Sequence, residues 1–210
     1  MRWASVAVLL PLAMSALAIA LGAGIFGSRA PHLGSGVLAA LLAQFVRVFF
    51  LGGPLEEELG WRAFALPRLQ VGLPALDASV LLGLVWGLWH IPLYFVPGTG
   101  QFETLAGGAD TAFTIGGFVF WTVALSVLFA WLFNQSSGSL LVAMLLHTSV
   151  DVGALLPSLV GSGGVSSYLY VLITWITAIA VTLRFGRRTL ATVGRQIVGG
   201  RVLPAVDGGP

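Results

Sequence analysis

The chain contains no cysteine and no lysine. The first absence excludes disulfide staples, thiolate zinc sites and a cysteine nucleophile. The second leaves arginine as the whole basic complement, ten residues against eight acidic ones. Charge of either sign is scarce, at 9% of 210 residues, where a soluble domain carries roughly 25%. That leaves too little polar surface for a water-facing globule. The basic balance does not indicate nucleic acid either, because the arginines form no groove-like patch. Five of them, Arg184, Arg187, Arg188, Arg195 and Arg201, fall in the last 27 residues. This is the pattern of a cytoplasmic tail lying beside anionic membrane lipid.

What the chain does have is apolar sequence, 57% of residues with a mean hydropathy of +0.96. Six runs approach the ~20 residues that cross a bilayer: 3–26, 37–66, 79–95, 113–133, 139–156 and 168–183. The expectation is an all-α fold, a polytopic membrane helix bundle of about six transmembrane helices. It forms one domain over 1–184, followed by a short, basic, poorly ordered tail at 185–210. The first run outlasts a signal-peptide core of 7–15 residues and is read as an uncleaved helix. The second is overlong and contains Gly52-Gly53-Pro54, where proline removes a donor and predicts a kink or restart. An even number of spans with arginine concentrated inside places both termini in the cytoplasm of a bacterial plasma membrane.

Into this apolar background the sequence sets three consecutive glutamates, Glu56, Glu57 and Glu58, with Arg62 four residues after the last. His90 lies in the third run, and His147 and Asp151 in the fifth. Ionisable groups at membrane depth cost at least ~2.5–3.5 kcal/mol each. Counted at about 1.5 Å per residue, Glu57, His90 and His147 come to similar depths on three helices, roughly 12–17 Å from the inner ends. Glu58 and Arg62 stand at i,i+4 and can pair. Gly83 and Gly87 form a small-residue seam beside His90. Taken singly, each group has a structural reading: an acidic first turn, an ion pair, an interior histidine, a polar clamp. Trp86 reads as packing, and Gln44 and Arg47 as packing or snorkelling groups.

Glu57-Glu58-Leu-Gly-Trp-Arg62 resembles an E-E-x-x-x-R motif, Trp86-Gly-Leu-Trp-His90 an aromatic-x-x-x-H motif, and His147-Thr-Ser-Val-Asp151 an H-x-x-x-N/D motif. In this order, each on its own apolar helix, they are similar to the CPBP group (CAAX proteases and bacteriocin-processing enzymes, also called Abi), intramembrane endopeptidases related to type II CAAX prenyl endopeptidases. The matching core runs from about 50 to 155. Trp86 stands where phenylalanine is commoner, and Asp151 where eukaryotic-type members carry asparagine. The resemblance implies catalytic roles for Glu57, Glu58, His90, His147 and Asp151, with Arg62 and Trp86 supporting. It assigns Glu57 as base, His90 to water positioning, and His147 with Asp151 to the oxyanion. Arg62 would hold Glu58 ionised beside Glu57. In this reading no cofactor is required, and the substrate is a membrane-associated peptide or protein, lipidated or not. A second mechanism uses zinc on Glu57, His90 and His147, one carboxylate and two imidazoles with an open position. Two other readings stand: a non-catalytic immunity or interaction protein holding these residues as a clamp, and a transporter, which would be expected to show inverted repeats.

Overall fold

The computed structural model describes residues 2–32, 34–108, 110–192, 196–198 and 201–203. The chain is an all-α polytopic bundle, with helices α1 (Arg2–Ile25), α2 (Val37–Leu51), α3 (Pro54–Glu58), α4 (Leu66–Gly72), α5 (Ala75–Trp89), α6 (Gly100–Ala106), α7 (Thr111–Gln135), α8 (Leu140–Leu159) and α9 (Val165–Phe185). Five stretches are long and apolar enough to cross a membrane, and a sixth if the bent pair Val37–Leu51 and Pro54–Gly72 counts as one. Exposed leucine, isoleucine and phenylalanine side chains, among them Leu9, Phe50, Phe120, Ile176 and Leu183, give the bundle the apolar exterior that lipid requires. It is an integral membrane protein.

The break in the second span falls where glycine and proline predict it. Gly53 has φ +106 and Pro54 opens α3, whose first turn is closed by Glu56 and Glu57 donating to the Gly53 carbonyl. The two halves meet at 45°. Between α3 and α4 the backbone widens into a π-helical segment, Leu59–Ala65, which the sequence pattern did not announce. The long connection between the third and fourth spans is also more regular than a loop: a 3₁₀ turn at Ile91–Phe95 ends the third span, and α6 follows. Polar residues at the helix starts explain the boundaries. Thr99, Asp110 and Ser139 accept from the backbone N–H of Phe102, Phe113 and Val142 and cap α6, α7 and α8, satisfying donors that a helix start leaves open.

Helix α7 is the centre, with every residue from Thr122 to Gln135 buried. It packs on α5 and α9, while α1 packs on α8 and α9. The α5–α7 approach is close because of the Gly83–Gly87 seam. A Cβ on Gly83 would stand 2.6 Å from Val123 Cα, and one on Gly87 2.5 Å from Thr122 Oγ1. In lipid, where apolar burial between helices drives little, such close backbone packing holds helices together.

The expectation of a loose tail directly after Arg184 is overturned for its first part. Arg187 makes a bidentate pair with Asp77, the Arg187 and Arg188 carbonyls accept from Leu76 and Ala75, and Leu190 and Ala191 are buried. The hydrogen bond and charge of Asp77 hold the Arg187 guanidinium above its usual pKa. The segment stays put because it supplies acceptors to the open start of α5. Beyond it, Gln196–Val198 and Arg201–Leu203 pair antiparallel. The expectation for 193–195, 199–200 and 204–210, including Arg195, lies outside the described residues.

Candidate active site

The glutamate triplet divides by helical phase. Glu56 is exposed, Glu57 is partly buried and lines a cavity, and Glu58 is fully buried. Glu57 Oε2 accepts from Trp86 Nε1 at 2.8 Å. Its Oε1 lies 3.9 Å from His90 Nε2 and against the Gly53 backbone, where an added Cβ would come within 2.6 Å of it. Gly53 thus serves two ends: it adopts a backbone angle that side chains disfavour, and it leaves room for the carboxylate.

His90 caps the end of α5, and its Nδ1 donates to the Trp86 carbonyl at 2.8 Å. A carbonyl only accepts, so neutral His90 presents a bare Nε2 toward Glu57. His147, buried on α8, places Nδ1 2.7 Å from Glu58 Oε1. That oxygen also accepts from Arg62 at 3.0 Å, so His147 Nδ1 is a donor as well. Its Nε2 lies 3.8 Å from Asp151 Oδ2. Both imidazoles are thereby anchored through Nδ1 and turn Nε2 toward a carboxylate of the cavity wall.

Glu58 does not line the cavity. It sits behind His147, with Arg62 on its other side. The Arg62 guanidinium is fully buried, 3.8 Å from the Phe129 ring centroid and 4.4 Å from that of Trp86. Two aromatic faces compensate part of its desolvation. The sequence reading placed Glu58 among catalytic groups, as a charge tuning Glu57. The geometry adds a direct contact to His147.

The cavity measures about 740 Å³ and is lined by Glu57, Trp86, His90, His147 and Asp151 together with Gln44 and Arg47 of α2. Gln44 and Arg47 were expected only to pack or snorkel, and the signal that could have found them is their i,i+3 spacing on the helix just before the break. A second, apolar cavity of about 660 Å³ lies between α7, α9 and α6, and Tyr94, Thr104, Phe118, Trp121 and Ala154 border both. All seven residues singled out by the three motifs meet in one connected network. Among the described residues, no three His, Asp or Glu side chains gather closely enough to hold a metal ion. Glu57, His90 and His147 form no such cluster in this arrangement.

Comparison with known proteins agrees on where the core lies. A family model described as type II CAAX prenyl endopeptidase Rce1-like matches residues 38–153. The chain is also 30% identical over 112 residues to CAAX prenyl protease 2 of Methanococcus maripaludis, an overlap of 52% of this chain and 40% of that protein. The chain thus spans about two fifths of the length of that relative.

Proposed function

Because this chain belongs to the Rce1-like family of type II CAAX prenyl endopeptidases, we propose that it is an intramembrane endopeptidase that hydrolyses a peptide bond with a glutamate-activated water. The observation that carries this reading is the 3.9 Å gap between Glu57 Oε1 and His90 Nε2. It is too long for a direct hydrogen bond and suits one water donating to both. Trp86 holds the other carboxylate oxygen in place.

In the reaction Glu57 takes a proton from that water as its oxygen bonds to the scissile carbonyl carbon. His147, with Nδ1–H held by Glu58 and a proton on Nε2, donates to the developing oxyanion, and Asp151 orients that edge of the ring. Collapse breaks the C–N bond, and Glu57 passes its proton to the departing amine. The donor set favours this route over zinc, because the would-be ligands line one cavity without drawing into a three-ligand cluster. The substrate is a membrane-associated peptide or protein. The adjoining apolar cavity suits a lipid chain attached to it, and the surrounding bilayer supplies the remaining partner.

Comparative membrane proteomics of cells carrying wild type or Glu57→Ala provides the test. Termini present with wild type and missing with the variant are expected, and identical terminomes would overturn the proposal. With purified protein, chelation is expected to leave cleavage unchanged. Loss of activity on chelation with recovery on zinc would install the metal route instead.

A further inference from the structure

Helix α7 carries none of the three motifs, yet one of its residues reaches a member of each. Phe129 is fully buried and lines neither cavity. Its ring centroid lies 3.8 Å from the Arg62 guanidinium carbon, 5.6 Å from the Trp86 ring and 5.7 Å from the His147 ring. Trp86 and His147 stand 5.4 Å apart. The three rings close a triangle in which every pair is nearly perpendicular, at 77°, 85° and 90°. This is the edge-to-face arrangement that aromatic rings prefer.

Hydrogen bonds do not set the plane of Arg62. Its Nη1 donates to Glu58 Oε1 at 3.0 Å, while Nε and Nη2 are buried without an acceptor among the described residues. One bond leaves a guanidinium free to turn about it. The faces of Phe129 and Trp86 supply the missing restraint. Glu58 Oε1 in turn accepts from His147 Nδ1 at 2.7 Å. Phe129 therefore reaches His147 twice, by direct ring contact and through Arg62 and Glu58.

We propose that Phe129 is a positioning residue of the reaction: its ring face fixes Arg62 and its body fixes the plane of His147, which together aim His147 Nε2 at the developing oxyanion. The inference rests on the protease reading above. Because Phe129 lines no cavity, it acts on kcat and not on KM.

Replacing Phe129 by mono-, di- and trifluorophenylalanine tests this, since each fluorine weakens the negative face of the ring and barely changes its size. Cleavage of a quenched fluorescent S-farnesyl peptide is followed in phosphatidylcholine nanodiscs, together with the nitrogen NMR signal of His147 Nδ1, assigned by its loss in His147→Gln. Fluorination is expected to lower kcat in steps, by about tenfold in total, at constant KM, and to shift the His147 signal in the same order. The same series at Phe133, buried one turn along α7 with no guanidinium over it among the described residues, changes neither. In Glu58→Gln/Arg62→Met protein the dependence on fluorine disappears. A kcat indifferent to fluorine, an equal trend at Phe133, a trend that persists without Arg62, or a change confined to KM would overturn the proposal. Cleavage with no fluorine trend leaves the protease reading standing and removes this one. If wild type leaves the peptide uncut, the His147 signal decides. A shift that follows fluorine upholds the positioning of His147 by Phe129 and counts against the protease reading, and a signal that ignores fluorine overturns the proposal.

Discussion

In the proposed mechanism Glu58 and Arg62 are a buried pair that serves catalysis without touching substrate. Removing Arg62 leaves the buried Glu58 carboxylate with His147 as its one remaining side-chain partner among the described residues, and breaking a buried pair destabilises a protein by about 3–5 kcal/mol. Replacing both partners with neutral groups avoids most of that. Arg62→Ala is therefore expected to lower the melting temperature in detergent sharply, and Glu58→Gln/Arg62→Met to recover most of the loss. The double variant should still cleave slowly, because His147 has lost the anion that fixes its Nδ1. A double variant with full kcat would refute the positioning role. Arg62→Lys should not rescue, since an ammonium cannot lie flat against both Trp86 and Phe129.

At the scale of elements, the break in the second span is what brings its glutamates to the candidate site. The chain stops at Leu51, turns through Gly53 and restarts at Pro54, which brings Glu57 to the cavity wall while α2 covers its other side. Gly53→Ala would strain the backbone at φ +106 and drive a methyl against Glu57 Oε1. Such strain costs about 1–3 kcal/mol, and a carboxylate displaced by about 1 Å can lose up to 10²-fold in rate. The expected result is a kcat reduced about tenfold or more with only a modest fall in melting temperature. Gly60→Ala is the control, because a Cβ there meets nothing within 4 Å. Equal activity of the two variants would remove Gly53 from the argument.

For the whole molecule, the segment after α9 closes the bundle at the end where α4, α5 and α7 meet. Asn134 on α7 donates to the Thr189 carbonyl and to Gln70 on α4, and the start of α5 donates to the carbonyls of Arg187 and Arg188. Truncation after Phe185 would leave these groups without partners, at about 1–3 kcal/mol for each one that stays buried. The melting temperature is expected to fall by several degrees. Arg187→Ala, which removes only an exposed ion pair, should change it little, and less still at high salt. Truncated protein that melts with the full chain would show that the segment merely rests on the bundle.

The sequence alone determined the fold class and marked the candidate site. Scarce charge and six apolar runs require a membrane bundle, because backbone and side chains have no other way to be satisfied in lipid. Ionisable residues on three of those runs, with Glu57, His90 and His147 at similar depths, mark the candidate site, because nothing but use or pairing offsets their desolvation. Tertiary structure decided which of them face the cavity. Glu57 and Glu58 are adjacent in sequence, yet one reaches the cavity wall and the other packs behind an imidazole. The break before them is local pattern, set by Gly53 and Pro54, whereas the π-helical segment that follows them is an outcome of packing. The contribution of Arg47 and Gln44 to the cavity was hidden for the same reason: a helix surface faces water, lipid or a cavity only once its neighbours are in place.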